Sequence, residues 1–235
     1  MRIAIMQPYI FPYIGYFQLI NAVDKFVVYD NIQFTKKGWI NRNRMLVNAK
    51  DEYFTLPLKK DSDYLNVDQR KLADTFPAEK IKLLRKITEA YKKAEYFEPV
   101  FLLLQTIINT EEENLFRFIY QSLQAVCKYL DIKTEFVVSS TIPIDHSLKA
   151  QDKVIAICKA LDATHYINPI GGVELYSKEA FAHNDIELSF IQANDMRYKQ
   201  FTDYFVPSLS VLDVMMFNPI DEIKKMLISY KLEYI

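Results

Sequence analysis

Ile3-Ala4-Ile5-Met6 and Phe26-Val27-Val28 are two short apolar runs with a helical pattern between them, and they constrain the fold more tightly than any other feature. Neither shows the polar alternation of a half-solvated strand. Residues 2–6 and 25–29 therefore read as strands buried on both faces, the kind found in parallel sheets. Phe17, Leu19, Ile20 and Val23 place a short helix over residues 15–23. This start spans about thirty residues, the size of one strand–helix–strand unit.

The alternation then breaks and later resumes. Residues 38–47, GWINRNRMLV, put Arg42 and Arg44 on one strand face and Asn41 and Asn43 on the other. Residues 52–59 can pair with them as a hairpin, and residues 64–72 can extend that layer. Three helices are expected, over 77–93, over 97–109 and from a capping box of Thr110 and Glu113 through residue 130. Strands are expected at 135–140, 165–169 and 187–192. Helices are expected at 151–161, 175–184, 210–217 and 221–230. The pattern predicts one α/β domain over 1–235: a Rossmann-like, mainly parallel sheet with an antiparallel excursion at 33–72 and a helical block at 77–130. Ligands of such sheets bind outside the carboxyl ends of the strands.

Composition narrows the function classes. The formal charge of −1 offers no global field for nucleic acid or an anionic membrane. No apolar run reaches transmembrane length, and no leader-like segment precedes the first strand. Cys127 and Cys158 fall in apolar helical patterns, so both read as reduced buried thiols of a cytoplasmic protein. The histidines show no metal spacing, and no metal site is expected.

Four segments carry candidate chemistry. The first leaves strand one as Met-Gln-Pro-Tyr-Ile-Phe-Pro-Tyr-Ile-Gly-Tyr-Phe. Gln7, Tyr9, Tyr13 and Tyr16 supply polar tips on rigid bodies, and Gly15 opens a helix whose N–H groups suit an anion. Nucleotidyltransferases with a His-x-Gly-His signature place it here, but this chain has Ile14-Gly15-Tyr16-Phe17. The second segment holds Lys37, Asn41, Arg42 and Arg44, whose paired guanidinium groups suit a phosphate or carboxylate. A positively charged edge strand explains them equally well. The third is HYINPIGGVELY, in which Asn168, Gly171, Gly172 and Tyr176 lie at a strand end. There a glycine pair allows close backbone approach, although strand–helix packing explains it nearly as well. The fourth is SLSVLDVMMFN, in which Ser210 and Asp213 read as the capped start of a core helix. Tyr198, Lys199 and Gln200 precede it in a polar loop.

Taken together, these four segments resemble the WbqC-like family over essentially the whole chain. The chain departs from that family's opening signature in having Tyr13 where tryptophan is common. The resemblance implies a place in O-antigen or other lipopolysaccharide-type biosynthesis. It also implies transfer of glycine or another amino acid to a sugar.

Three functions stay open. The first is a transferase forming an amide on a nucleotide sugar. In that reading the tyrosines hold a ring, the arginines hold a pyrophosphate, and Asp30 or Asp213 is a general base. The second is a degenerate nucleotidyltransferase-type ligase using ATP and Mg²⁺, against which the missing histidines count. The third is a non-catalytic binding module in a polysaccharide assembly. No cofactor is evident, and the acyl donor, the acceptor and the oligomeric state are not specified.

Overall fold

The computed structural model describes residues 1–234. Chain order gives β1 (Arg2–Met6), α1 (Ile14–Asn21), β2 (Lys25–Val28), β3 (Arg42–Val47), β4 (Lys50–Thr55), α2 (Phe76–Tyr91), α3 (Phe97–Ile108) and α4 (Leu115–Tyr129). It continues with β5 (Glu135–Val138), α5 (Ala150–Ala160), β6 (His165–Pro169), α6 (Lys178–Ala182), β7 (Glu187–Ala193), α7 (Val211–Phe217), α8 (Ile220–Leu227) and β8 (Tyr230–Glu233).

Six strands form one sheet in the order β5-β2-β1-β6-β7-β8, parallel except for β8, which runs antiparallel to β7. This is the Rossmann-like α/β arrangement. The chain winds outward from β1 to β2 and β5, then returns to place β6 on the other side of β1. The strand order therefore reverses between β1 and β6, and that crevice is where such sheets take ligands.

The lack of alternation in the central strands has its cause in two cores. Ala4, Phe26, Val28 and Ile167 face a large core shared with α1, α4 and α8. Ile3, Ile5, Val27 and Tyr166 face a second core under α5 and α6. Every residue from Ile14 to Ile20 is buried, as expected of a helix apolar on all sides.

β3 and β4 form a separate antiparallel hairpin with the register Val47↔Lys50. Its two-residue turn, Asn48-Ala49, has φ of 49° and 68°, the left-handed pair that matches strand twist. Between β4 and α2 the expected strand over 64–72 is replaced by isolated bridges, Gln33↔Asn66 and Leu58↔Leu72, and a short 3-10 turn at Val67–Gln69. The capping box lies here, at Asn66 and Gln69. The helix expected to begin at Thr110 and Glu113 is capped instead by Asn114, whose side chain accepts from the Arg117 N–H at 3.0 Å. The last helix stops at Leu227 and the chain re-enters the sheet as β8, where a helix to residue 230 was expected.

Cys127 and Cys158 are free and buried. Burial pushes the Cys158 thiol up to about 12. Among the described residues no helix is long and apolar enough to cross a membrane.

Candidate functional site

The loop leaving β1 is held from three directions. The Ile10 N–H donates to the Ile40 carbonyl at 3.0 Å. The buried Asn43 amide, on β3, donates to the carbonyls of Ile10 (3.1 Å) and Phe11 (2.9 Å). Ser210, the N-cap of α7, donates its hydroxyl to the same Phe11 carbonyl at 2.7 Å, and the Val211 N–H reaches the Pro12 carbonyl at 2.8 Å. Phe11 has φ of 40°, a conformation costly for a phenylalanine and kept only where the surroundings over-determine it. Buried polar groups on β3 and α7 thus force one shape on the Pro-Tyr-rich loop. Asn43, which alternation places on the strand face opposite the arginines, spends its amide on this clamp.

That shape opens a cavity of about 340 Å³ lined by Tyr9, Pro12, Tyr13, Trp39, Asn43, Arg44 and Ser208. Three aromatic rings make most of its wall. Trp39 stacks on Tyr53 with ring centres 6.1 Å apart. Arg44 lies over Trp39 at 5.6 Å and Arg42 over Tyr53 at 4.9 Å, so each ring of the stack carries a cation. The guanidinium groups are also bonded. Arg44 donates to Asp51 Oδ2 (2.8 Å) and the Ser208 carbonyl (3.1 Å). Arg42 donates to the carbonyls of Gly38 and Lys37. Of the two arginines expected to share one anion, only Arg44 lines the cavity. Lys37 is exposed, and Asn41 donates to the Leu56 carbonyl at 2.9 Å, pinning the hairpin.

Tyr9 and Tyr13 have phenol pKa values raised by burial, with each other's proximity adding to the shift for Tyr9. Both keep their protons at neutral pH and present O–H donors. Tyr16 is wholly buried and donates to the Gln7 carbonyl at 2.8 Å, while Tyr9 approaches Gln7 Oε1 at 3.4 Å. These two residues therefore build the loop's base.

Gly15, in the first turn of α1, lies directly under the Tyr13 ring. A Cβ there would lie 2.3 Å from Tyr13 Cε2. The Tyr13 ring rests where a side chain would otherwise stand, covering the start of α1.

The β6 segment forms a group of its own. Tyr166 donates to Asn168 Oδ1 at 3.0 Å, with Tyr176 Oη 3.3 Å away. A Cβ on Gly172 would lie 2.0 Å from Asn168 Nδ2, so that space is filled by the protein itself, whereas Gly171 faces open space. None of these residues lines the aromatic cavity. Asn168, Gly172 and Tyr176 pack the start of a 3-10 turn, Ile170–Leu175, at the carboxyl edge.

The two aspartates are also bound internally. Asp30 is buried and accepts from the Ser140 N–H (2.9 Å) and hydroxyl (2.6 Å), joining the exits of β2 and β5. Asp213 is fully buried and accepts from Tyr91 (2.8 Å), Tyr198 (2.7 Å) and Gln200 (2.7 Å). Burial raises its pKa, against those hydrogen bonds. All of its surface is covered by these neighbours, away from the aromatic cavity. Its work is to tie α7 to α2 and to the loop after β7.

Trp39 and Ser208 line the cavity without having been singled out. Alternation placed Trp39 inside a strand, but β3 begins only at Arg42, and Trp39 belongs to the turn before it. Ser208 is a non-glycine residue at φ 56° in the loop after β7, a conformation that leaves no mark in sequence. Among the described residues, no cluster of three or more His, Cys, Asp or Glu is placed to hold a metal ion.

The family model described as the WbqC-like protein family matches residues 7–225. The chain is also similar to an uncharacterized protein of Mycobacterium tuberculosis. The two are 28% identical over 216 residues, which cover 91% of this chain and 92% of that one. No solved structure matches it.

Proposed function

The chain belongs to the WbqC-like protein family, and from that premise we propose that it is a transferase that forms an amide on a nucleotide-linked amino sugar. The setting is assembly of a surface polysaccharide such as O-antigen, with the reaction carried out in the cytoplasm. One observation carries the reading: a cavity of about 340 Å³ walled by Tyr9, Tyr13 and Trp39 with Arg44 at its side. Flat aromatic faces suit a sugar or base ring, and phenol O–H groups suit its hydroxyls. The site is held open by a strained, clamped loop, so little ordering is left to pay for on binding.

In this reaction the sugar's amine attacks the acyl carbon. The C–N bond forms as the bond to the leaving group breaks, and the amine's proton departs with that group. The phenols of Tyr9 and Tyr13 and the Arg44 guanidinium are the donors available to the carbonyl oxygen as its charge develops.

A second reading is favoured by one specific feature. No carboxylate, histidine or cysteine lines the cavity, as a non-catalytic sugar-binding module would have it. One experiment separates the two. Purified protein is incubated with UDP- and dTDP-linked amino sugars and a panel of activated acyl and aminoacyl donors, with and without ATP and Mg²⁺. The products are then read by mass spectrometry. A new amide, lost in Tyr13→Ala, supports the transferase. Amide formation that strictly needs ATP and Mg²⁺ points to an adenylating ligase. Nucleotide-sugar binding without any product leaves the module.

A further inference from the structure

The aromatic cavity has a neighbour. A second cavity, of about 150 Å³, lies at the carboxyl end of β7, and Tyr13 and Ser208 line both. The two cavities therefore share a wall. The other walls of the second come from α1, α7 and the loop after β7, and Ile14, Met196, Phe205, Pro207, Leu209 and Val214 make them apolar. Ala193, the last residue of β7, also lines this cavity and is exposed, so nothing larger than a methyl group stands there. The carboxyl ends of parallel strands are where such sheets take ligands.

Hydrogen bonds fix these walls and occupy the polar groups in them. The Tyr198 hydroxyl donates to Asp213 at 2.7 Å, and its ring meets Phe205 edge-on at 5.0 Å. Gln200 closes the loop on itself by exchanging two bonds with the Val206 backbone, at 2.8 and 3.1 Å. The Ser208 carbonyl accepts from Arg44 at 3.1 Å. Of the remaining polar side chains in the lining, Asn194 donates its amide to the Ser229 hydroxyl at 3.3 Å, and Asp195 pairs with Arg197 at 3.4 Å. The cavity thus offers a ligand no unpaired charge, and an ionic group entering it would lose its hydration without compensation. An apolar cavity of this size stays dry and admits a molecule as large as benzene.

We propose that the second cavity is a subsite for an uncharged apolar chain of up to about six carbons. That this chain is the acyl group of the donor rests on the transferase reading; the cavity's preference for such a chain does not. On that reading the amino sugar lies in the aromatic cavity and the acyl chain on the other side of the shared wall. The two reactants are then held within about one side chain's width of each other, as a reaction that joins them requires.

The test is NMR titration of protein carrying ¹³C-labelled methionine and valine methyl groups with propanamide, butanamide, hexanamide and decanamide, none of which is charged. The Met196 and Val214 methyl resonances should move and saturate. Affinity should rise about fourfold for each methylene added up to hexanamide, as transfer of the chain from water dictates, and should rise no further with decanamide. Ala193→Leu, which replaces a methyl by an isobutyl group at the cavity, should weaken hexanamide at least about tenfold. Should that variant fail to fold, intermolecular nuclear Overhauser effects from the hexanamide chain to the Met196 and Val214 methyls place the chain in the wild-type cavity. Affinity independent of chain length, unmoved Met196 and Val214 resonances, or full hexanamide affinity in Ala193→Leu overturns the proposal. Hexanamide binding of the expected kind without amide product from any donor fails the transferase reading and leaves the subsite standing.

Discussion

The Asn43 side-chain amide donates to the Phe11 carbonyl at 2.9 Å, at the strained residue of the loop that walls the cavity. The Ser210 hydroxyl meets the same oxygen at 2.7 Å. Two elements distant in sequence thus converge on a residue whose own backbone preference opposes the conformation it holds. Asn43→Ala removes both of the amide's donated bonds, leaving the Ile10 carbonyl unpaired and the Phe11 carbonyl with Ser210 alone. A loss of about 2–4 kcal/mol in chemical denaturation is expected. Asn43→Asp is expected to cost more, because a carboxylate would face those carbonyls as a second acceptor. Because Asn43 and Ser210 share one acceptor, the double alanine variant should depart from additivity by at least about 0.5 kcal/mol.

Gly15 and Tyr13 make a pair whose coupling changes sign. Alanine is better than glycine in a helix by about 1 kcal/mol. In the wild-type background, however, the new methyl would strike the Tyr13 ring 2.3 Å away. Gly15→Ala alone is therefore expected to destabilise the protein or expel the ring. In a Tyr13→Ala background the same substitution should stabilise it by roughly 0.5–1 kcal/mol. Thermal melts of the four proteins in this cycle check the reversal.

The elements legible in sequence were those whose burial is local. Ile3-Ala4-Ile5 and Phe26-Val27-Val28 declare strands because both faces meet a core, and α1 declares itself by apolar residues all round. β8 was missed because no glycine or proline separates it from α8. Ser229 and Tyr230 continue a helical pattern until pairing with β7 overrides it. At the site, Tyr9, Tyr13 and Arg44 were readable as stiff or charged groups at a strand exit. What Arg42, Asn43 and Asp213 do was not readable, since their partners are backbone carbonyls and residues far along the chain. Side-chain type says that a group will bond; only the fold says to what.

His165 makes stability depend on pH. Burial lowers its pKa below the ordinary 6.5, with Glu187 opposing and Arg2 and the chain's N-terminus reinforcing the shift. Its Nε2 lies 2.6 Å from the Ser189 hydroxyl. The unfolded chain therefore takes up this proton first as pH falls. Stability contributed by the neutral ring is present above pH 6.5 and declines below it until the folded-state pKa is passed. Urea denaturation midpoints measured from pH 7.5 downward should show this slope, and His165→Gln should flatten it.

Trp39 is the single tryptophan of the chain, and it forms a wall of the cavity at 38% exposure. Its emission therefore reports on that cavity without any label. The most direct measurement is titration of the protein with a UDP- or dTDP-linked amino sugar while following Trp39 fluorescence, with Tyr13→Ala as the paired variant. The account predicts a saturable change in emission that Tyr13→Ala weakens about tenfold or more, as expected for loss of one ring contact at the centre of a binding site. Ligand binding seen by calorimetry with Trp39 emission unchanged would contradict it, because the nucleotide sugar would then sit somewhere other than the cavity held open by Asn43 and Ser210.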